Sequence, residues 1–414
     1  MSRRRVVVTG MGTINPLAHS VEGLWSAIKK GKSGIGPVTR FDASEFTSQI
    51  AGEVKDFDPS DFMESKEYRK MGLFTQFAVA GAVQAMNQAG LSKENIEPYR
   101  SGVILGNGIG GFEIVDEGHR ILFEKGPKRI PPMTIPKLLS NEAPGNVAIR
   151  FGFKGPAMVV TTACASATDA IGQALNSIRY GVSDVMITGG TEASITELAL
   201  GGFCVLKALS TKYNDTPEKA CRPFDTDRDG FILAEGSGIL VLEELEHAKS
   251  RGAKILAELA GYGATCDAHH LTAPNTDGIA ASTAMTSAIK DAGLKPTDID
   301  YINAHGTSTP TNDPLETKAI KLALGDHAYK TRVSSTKSMT GHLVGAAGGI
   351  EAVISVMAIR DQYFPGTLNL TTPGEGCDLD YVPGTGERGR IKTVLSNSLG
   401  FGGHNATLIF KEYS

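Results

Sequence analysis

Aromatic residues are scarce, 7% of 414 positions with a single tryptophan at Trp25, so the repeating aromatic motifs of a propeller are missing. Cysteine occurs five times, at 164, 204, 221, 266 and 377. An odd count without any C-x-x-C pair argues against a disulfide framework or zinc ribbon, and a reducing cytoplasm is expected. No stretch approaches the ~18 apolar residues of a membrane span, because even the run over 350–359 contains Glu351 and Ser355. Arg3, Arg4 and Arg5 precede no apolar core of a signal peptide, since Gly10-Met11-Gly12 interrupts at once. Net charge is only −4, so no global field attracts nucleic acid, and neither nucleic acid nor membrane is expected as a partner. Glycine is what the chain has in excess: 49 of 414 residues, about 12% against a usual ~7%. Without a collagen or propeller period, these glycines must serve tight turns and close backbone approaches.

The length suggests two or three domain-sized units at roughly 150 residues each. Short apolar runs at 4–9, 101–105, 157–161 and 185–188 alternate with helical patterns at 21–30, 73–88 and 165–179. The later half repeats this with strands at 254–262, 299–304 and 332–335 and helices at 280–292 and 345–360, which predicts a layered α/β fold. Gly230-Phe231 leading to a strand at 239–242 is echoed by Gly400-Phe401 leading to one at 406–410. A degenerate duplication is therefore expected, with halves 1–250 and 251–414. Segments 111–145 and 200–230 have no counterpart and are expected to be long loops or caps.

Two familiar signatures fail on detail. Gly106-Asn107-Gly108-Ile109-Gly110-Gly111 satisfies G-x-G-x-x-G after a strand, but no acidic strand end follows about 20 residues on. Asp225-Thr226-Asp227-Arg228-Asp229-Gly230 begins like a calcium loop, yet its twelfth position is Gly236 and Arg228 places a cation inside, so an acidic turn is expected and no metal site.

Three other segments carry chemistry. In Thr161-Thr162-Ala163-Cys164-Ala165-Ser166 a strand runs into a helix of tiny residues, placing the Cys164 sulfur at a helix N-terminus. Unpaired N–H groups and the helix dipole favour thiolate there, with pKa values of roughly 3.5 to 7.5 at such sites. Asn303-Ala304-His305-Gly306-Thr307-Ser308-Thr309 and Lys337-Ser338-Met339-Thr340-Gly341-His342 each put a histidine after a strand. Open α/β sheets place catalytic groups at such ends, so Cys164, His305 and His342 form a candidate nucleophile with two hydrogen-bond donors.

Together with Arg222-Pro223-Phe224-Asp225, Glu235-Gly236 and Ser398-Leu399-Gly400-Phe401-Gly402-Gly403, these segments resemble the β-ketoacyl-acyl carrier protein synthases over essentially the whole chain. These are condensing enzymes of the thiolase superfamily, and the likeness is greatest to the synthase II type of bacterial fatty-acid synthesis. The resemblance implies a five-layered αβαβα fold from two related halves, a homodimer, and no free cofactor. Cys164 would take an acyl group from the phosphopantetheine arm of acyl carrier protein. Malonyl-carrier protein would then lose carbon dioxide, and its enolate would attack the thioester. The imidazole N–H groups of His305 and His342 would stabilise the charge that decarboxylation creates, and the backbone N–H groups of Cys164 and Phe401 would form the acyl oxyanion hole.

The resemblance also makes Phe401, flanked by Gly400, Gly402 and Gly403, a gate over the nucleophile. Lys337 matches the family's active-site lysine, and a charge pair with Glu351 is expected rather than a general base. Thr307, Thr309 and Thr272 match positions holding the pantetheine amides, while Ile109 and Phe203 match the acyl pocket. His404 departs from the threonine common in the family. A type II polyketide ketosynthase would share every catalytic residue; a thiolase would need a second cysteine, and a noncatalytic chain-length factor would lack Cys164. Independently, Lys66, Arg69 and Lys70 at i, i+3 and i+4 read as one helix face, and Lys128, Arg129 and Lys207 add charge from the unmatched segments. Such clusters would steer an acidic carrier protein despite the negative net charge.

Overall fold

The computed structural model describes residues 3–414. The N-terminal strands are β1 (Val6–Ile14), β2 (Ser101–Gly106), β3 (Ala157–Val160), β4 (Val185–Glu192) and β5 (Gly236–Glu244). The C-terminal ones are β6 (Ala257–Cys266), β7 (Tyr301–Asn303), β8 (Arg332–Ser334), β9 (Thr393–Gly400) and β10 (His404–Lys411). Hydrogen bonding orders them β8-β7-β9-β10-β6-β1-β5-β4-β2-β3. The same pairing occurs twice. β2 lies parallel between β3 and β4, and β4 continues antiparallel to β5 and then β1. Likewise β7 lies parallel between β8 and β9, and β9 continues antiparallel to β10 and then β6. The two sheets meet through two residue pairs, Val7 with Glu258 and Val8 with Ala257.

Helices make the remaining layers. α1 (Leu73–Ala89) and α2 (Glu142–Phe151) cover the outside of the first sheet; α3 (Ser166–Arg179) lies between the sheets; α4 (Ile279–Asp291) and α5 (Asn312–Leu324) cover the outside of the second; and α6 (Ala347–Asp361) shares the middle layer with α3. The result is the five-layered αβαβα thiolase-like fold. Alternation along each strand divides the core: Val103, Leu105, Ile187 and Val241 face α1, whereas Ile104, Met186, Leu240 and Leu242 face the middle layer with Ile171, Ile350 and Val353. A third cluster of Met285, Ile302, Ile320 and Leu395 packs beneath α4 and α5. From Ala347 to Ile359 α6 is buried on every side, which explains a sequence of small and apolar residues interrupted only by Glu351 and Ser355.

Three local expectations change. The strand read at 254–262 lies at Ala257–Cys266. Segments 111–145 and 200–230 are largely helical at their starts, over Phe112–Lys125 and Glu197–Val205, rather than open loops. The helix carrying Lys66 spans only Ser65–Tyr68, so Arg69 and Lys70 lie past its end, and the Lys66 ammonium already pairs with Glu64 at 2.8 Å. No helix among the described residues is long and apolar enough to cross a membrane.

Candidate active site

The turn from β3 into α3 is closed by Ser166, whose hydroxyl accepts from Thr162 N at 2.9 Å and donates to Ala163 O at 2.7 Å. Ala163 takes a left-handed φ of 50°, a strained elbow immediately before the nucleophile. Cys164 follows on a single turn over Ala163–Ala165 that leads into α3. His305 follows β7, and His342 follows β8 and the short helix Lys337–Thr340. Chain segments some 140 and 180 residues from Cys164 thus deliver both imidazoles to one point: the sulfur and one nitrogen of each ring lie within 4.8 Å of one another. The two rings meet edge to face, with centroids 5.3 Å apart.

These groups open into a cavity of about 570 Å³. Ile109, Phe203, Thr272, Thr307, Thr309, Lys207 and Phe401 line it as well, so every residue expected to touch substrate shares one space with Cys164. Phe231 and Val344 add apolar wall that the sequence did not single out. Thr307 and Thr309 hydroxyls are 3.0 Å apart, and Thr309 also accepts from Asn312 N at the start of α5, so it caps that helix too. The gate backbone lies against the nucleophile loop: a side chain at Gly400 would come within 3.2 Å of Cys164 N. Beyond it, Gly402 and Gly403 adopt φ of 85° and 76°, conformations that demand glycine.

Lys337 and Glu351 are 1% and 2% exposed and form an ion pair behind the cavity. The Lys337 Nζ also stands 3.4 Å from His305 Nδ1. An ammonium can only donate, so Nδ1 accepts and the His305 proton resides on Nε2. Desolvation, then Lys337 and then His342, hold His305 well below the ordinary histidine range; desolvation and Lys337 do the same to His342. Both rings are therefore neutral at pH 7. Sulfur and imidazole are also transition-metal donors, but a divalent cation here would confront the Lys337 ammonium, a poor fit.

The expected resting thiolate is corrected by the geometry. Burial pushes the Cys164 thiol up to about 11, outweighing the Lys337 charge and the Phe401 N–H that favour thiolate. The resting state is thus thiol beside neutral imidazole. Alkylation of Cys164 by iodoacetamide, followed by mass spectrometry, should accelerate about tenfold per pH unit from 7 to 9 as the thiolate fraction grows. A plateau near pH 7 would contradict the resting thiol.

Two buried glutamates were not legible as site residues. Glu316 on α5 accepts from His305 N at 2.8 Å, Gly306 N at 2.7 Å and Asn397 Nδ2 at 2.9 Å, fixing the backbone that carries the first histidine. Glu192, at the end of β4, accepts from Gly108 N at 2.8 Å, Gly345 N at 3.0 Å and Ile109 N at 3.3 Å. The G-x-G-x-x-G turn that would cradle a phosphate is therefore filled by the protein's own carboxylate. Asp225 behaves as the expected acidic turn, accepting from Thr371, Thr372 and Asp227 backbone N–H groups. His404 opens β10 opposite Gly400, with its ring against Gly402. Lys66, Arg69, Lys70, Lys128 and Arg129 are exposed and outside the cavity.

A five-layered fold bringing a cysteine and two neutral histidines to the base of a deep, hydroxyl-lined cavity defines a thiolase-like condensing enzyme. Residues 3–248 match the family model "Beta-ketoacyl synthase, N-terminal domain" and residues 256–371 match "Beta-ketoacyl synthase, C-terminal domain". The chain belongs to the beta-ketoacyl synthase family. It is 52% identical over 413 residues to the 3-oxoacyl-[acyl-carrier-protein] synthase 2 of Synechocystis sp., covering 100% of this chain and 99% of the relative. It is 51% identical over 409 residues to the protein of the same description in Coxiella burnetii, covering 99% of each. Among solved structures, it resembles a type II PKS ketosynthase bound to the hexaketide, in complex with its acyl-carrier protein (TM-score 0.92, 37% identity, 100% of both chains). A beta-ketoacyl synthase from Burkholderia phymatum is also similar (TM-score 0.92, 34% identity, 99% of this chain and 100% of that one).

Proposed function

We propose that this enzyme is a 3-oxoacyl-[acyl-carrier-protein] synthase, an acyltransferase that elongates fatty acids by two carbons through decarboxylative condensation of malonyl-carrier protein with a Cys164-bound acyl chain. The observation that carries the reading is the convergence of Cys164, His305 and His342 within 4.8 Å in a cavity with apolar walls. The thiol gives its proton to a neutral imidazole as sulfur attacks the acyl-carrier thioester. Backbone N–H groups of Cys164 and Phe401 hold the oxyanion, and the carrier thiol leaves. Malonyl-carrier protein then enters past Thr272, Thr307 and Thr309. As carbon dioxide departs, the enolate oxygen is held by His305 Nε2–H and an N–H of His342, and its carbon attacks the acyl group to release Cys164. Lys337, paired with Glu351, keeps the His305 proton on Nε2. The acyl group arrives on the carrier's phosphopantetheine, so the chemistry requires no free cofactor. Curated relatives at about half identity favour fatty-acid elongation over the polyketide reading.

The working unit is a homodimer in this proposal. β3 ends the strand order with one edge unpaired, Met158 on it is 45% exposed, and Ile135 and Leu139 are exposed as well. The repeated pairing supports division into halves 1–250 and 251–414, and five free cysteines fit a reducing cytoplasm. Intact-mass analysis after incubation with acyl-carrier proteins of graded chain length should show one acyl adduct, mapped to Cys164. Reversing Lys66, Arg69 and Lys70, and separately Lys128, Arg129 and Lys207, should slow adduct formation most at low salt. Absence of the adduct removes the proposed function, and unchanged rates remove the docking patch.

A further inference from the structure

Behind the nucleophile loop lies a second, smaller cavity of about 300 Å³, lined in part by Thr162, Asp169, Gln173, Tyr262, Thr265 and His404. None of these six has a part in the chemistry above. Asp169, in the first turn of α3, is 8% exposed, yet both its oxygens are engaged: Thr162 Oγ1 donates to one at 2.6 Å and Tyr262 OH to the other at 2.7 Å. Tyr262 is itself fixed, because its ring lies directly on Gly172, where a side chain would come within 2.4 Å. Its backbone N–H donates to Asp291 at 2.9 Å. The carboxyl is therefore an anchored acceptor for the Thr162 hydroxyl rather than a mobile surface group.

Thr162 is the residue before strained Ala163, so holding it fixes the approach of the chain to Cys164. Ser166 ties the same residue from the inner side through the Thr162 N–H. Across the cavity stands His404, opposite Gly400 in the strand pair and packed on Gly402 of the gate. One carboxyl thus touches the nucleophile loop and faces the root of the gate. The contact runs through residues of both halves, since Tyr262 and His404 come from β6 and β10.

We propose that Asp169 is a positioning residue for acyl transfer: braced by Tyr262, it holds Thr162 so that the Cys164 thiol is aligned, and it couples that alignment to the gate through His404. The proposal rests on Cys164 being the acylated nucleophile. Asp169→Asn and Thr162→Val are near-isosteric: the first leaves one acceptor oxygen where the carboxylate serves two hydroxyls, and the second removes the Thr162 donor altogether. Each should lower the rate constant for Cys164 acylation by about tenfold, with KM for acyl-carrier protein within about twofold of wild type, because alignment rather than docking is lost. A purely structural role would instead lower thermal stability and leave the acylation rate of the folded enzyme unchanged. His404→Ala should slow acylation about threefold alone and add nothing in the Asp169→Asn background, the signature of one coupled unit. Should Asp169→Asn fail to fold, Thr162→Val and the Thr162→Val/His404→Ala pair decide the matter. Acylation within about twofold of wild type in Thr162→Val, or multiplicative effects of the paired substitutions, overturns the proposal. Failure of the wild-type enzyme to acylate at Cys164 overturns the underlying reading instead.

Discussion

Replacing Cys164 by alanine is expected to abolish the acyl-enzyme and to lower condensation by about three orders of magnitude or more, while malonyl decarboxylation persists. The two half-reactions use different atoms. Acyl transfer needs the sulfur at the elbow after β3, whereas decarboxylation needs only two N–H donors where the enolate oxygen develops. Those donors are held by contacts that do not involve Cys164. His305 is fixed by Lys337 at its ring and by Glu316 at its backbone, and His342 N donates to Ile232 O at 2.8 Å. The variant should release carbon dioxide from malonyl-carrier protein without forming a 3-oxoacyl product, which separates the activities in one assay. Condensation retained in the variant would sink the mechanism, and loss of both activities would place Cys164 in decarboxylation as well.

The second large effect concerns the ion pair behind the cavity. Glu351→Ala should destabilise the enzyme by about 3–5 kcal/mol, because the 1%-exposed Lys337 ammonium would lose its counter-charge without gaining water. Among the described residues, no carboxylate other than Glu351 is in hydrogen-bond contact with Lys337. The double variant Lys337→Met/Glu351→Leu should recover most of that stability, since neither charge remains to be desolvated. Decarboxylation should stay low in the double variant, because His305 Nδ1 then faces no donor and its tautomer is no longer fixed. Chemical denaturation measures the first effect and carbon dioxide release the second. A loss below about 1 kcal/mol in Glu351→Ala would mean that Lys337 is not held as a charged group.

Much of this site was legible because its reacting side chains sit immediately after strands. Cys164, His305 and Lys337 follow β3, β7 and β8 by only a few residues, so local pattern and family resemblance place them together. Their supports were not legible. Glu316 lies midway along α5 and Glu192 closes β4, and nothing in either segment announces that the carboxylate turns to a backbone loop elsewhere. Tyr262 and Asp169 are 93 residues apart, joined only by the packing of the two halves. The thiolate expectation failed for a related reason: a helix N-terminus is a local feature, whereas the desolvation that overrides it comes from the enclosing cavity. The three cations at 66–70 do not share one helix face, because charge spacing alone cannot show that the helix ends at Tyr68, although all three are exposed.

Two buried glutamates also bear on the turns beside the cavity. Gly108 and Ile109 follow β2, and His305 and Gly306 follow β7, the strand in the same place of the second sheet; each pair of N–H groups is occupied by a buried glutamate, Glu192 in one half and Glu316 in the other. Both of these N–H pairs are thus taken from within. Neither pair is left to cradle a phosphate. What reads as a phosphate cradle in the glycine-rich turn after β2 is thus a closed wall, held shut by a carboxylate from the neighbouring strand.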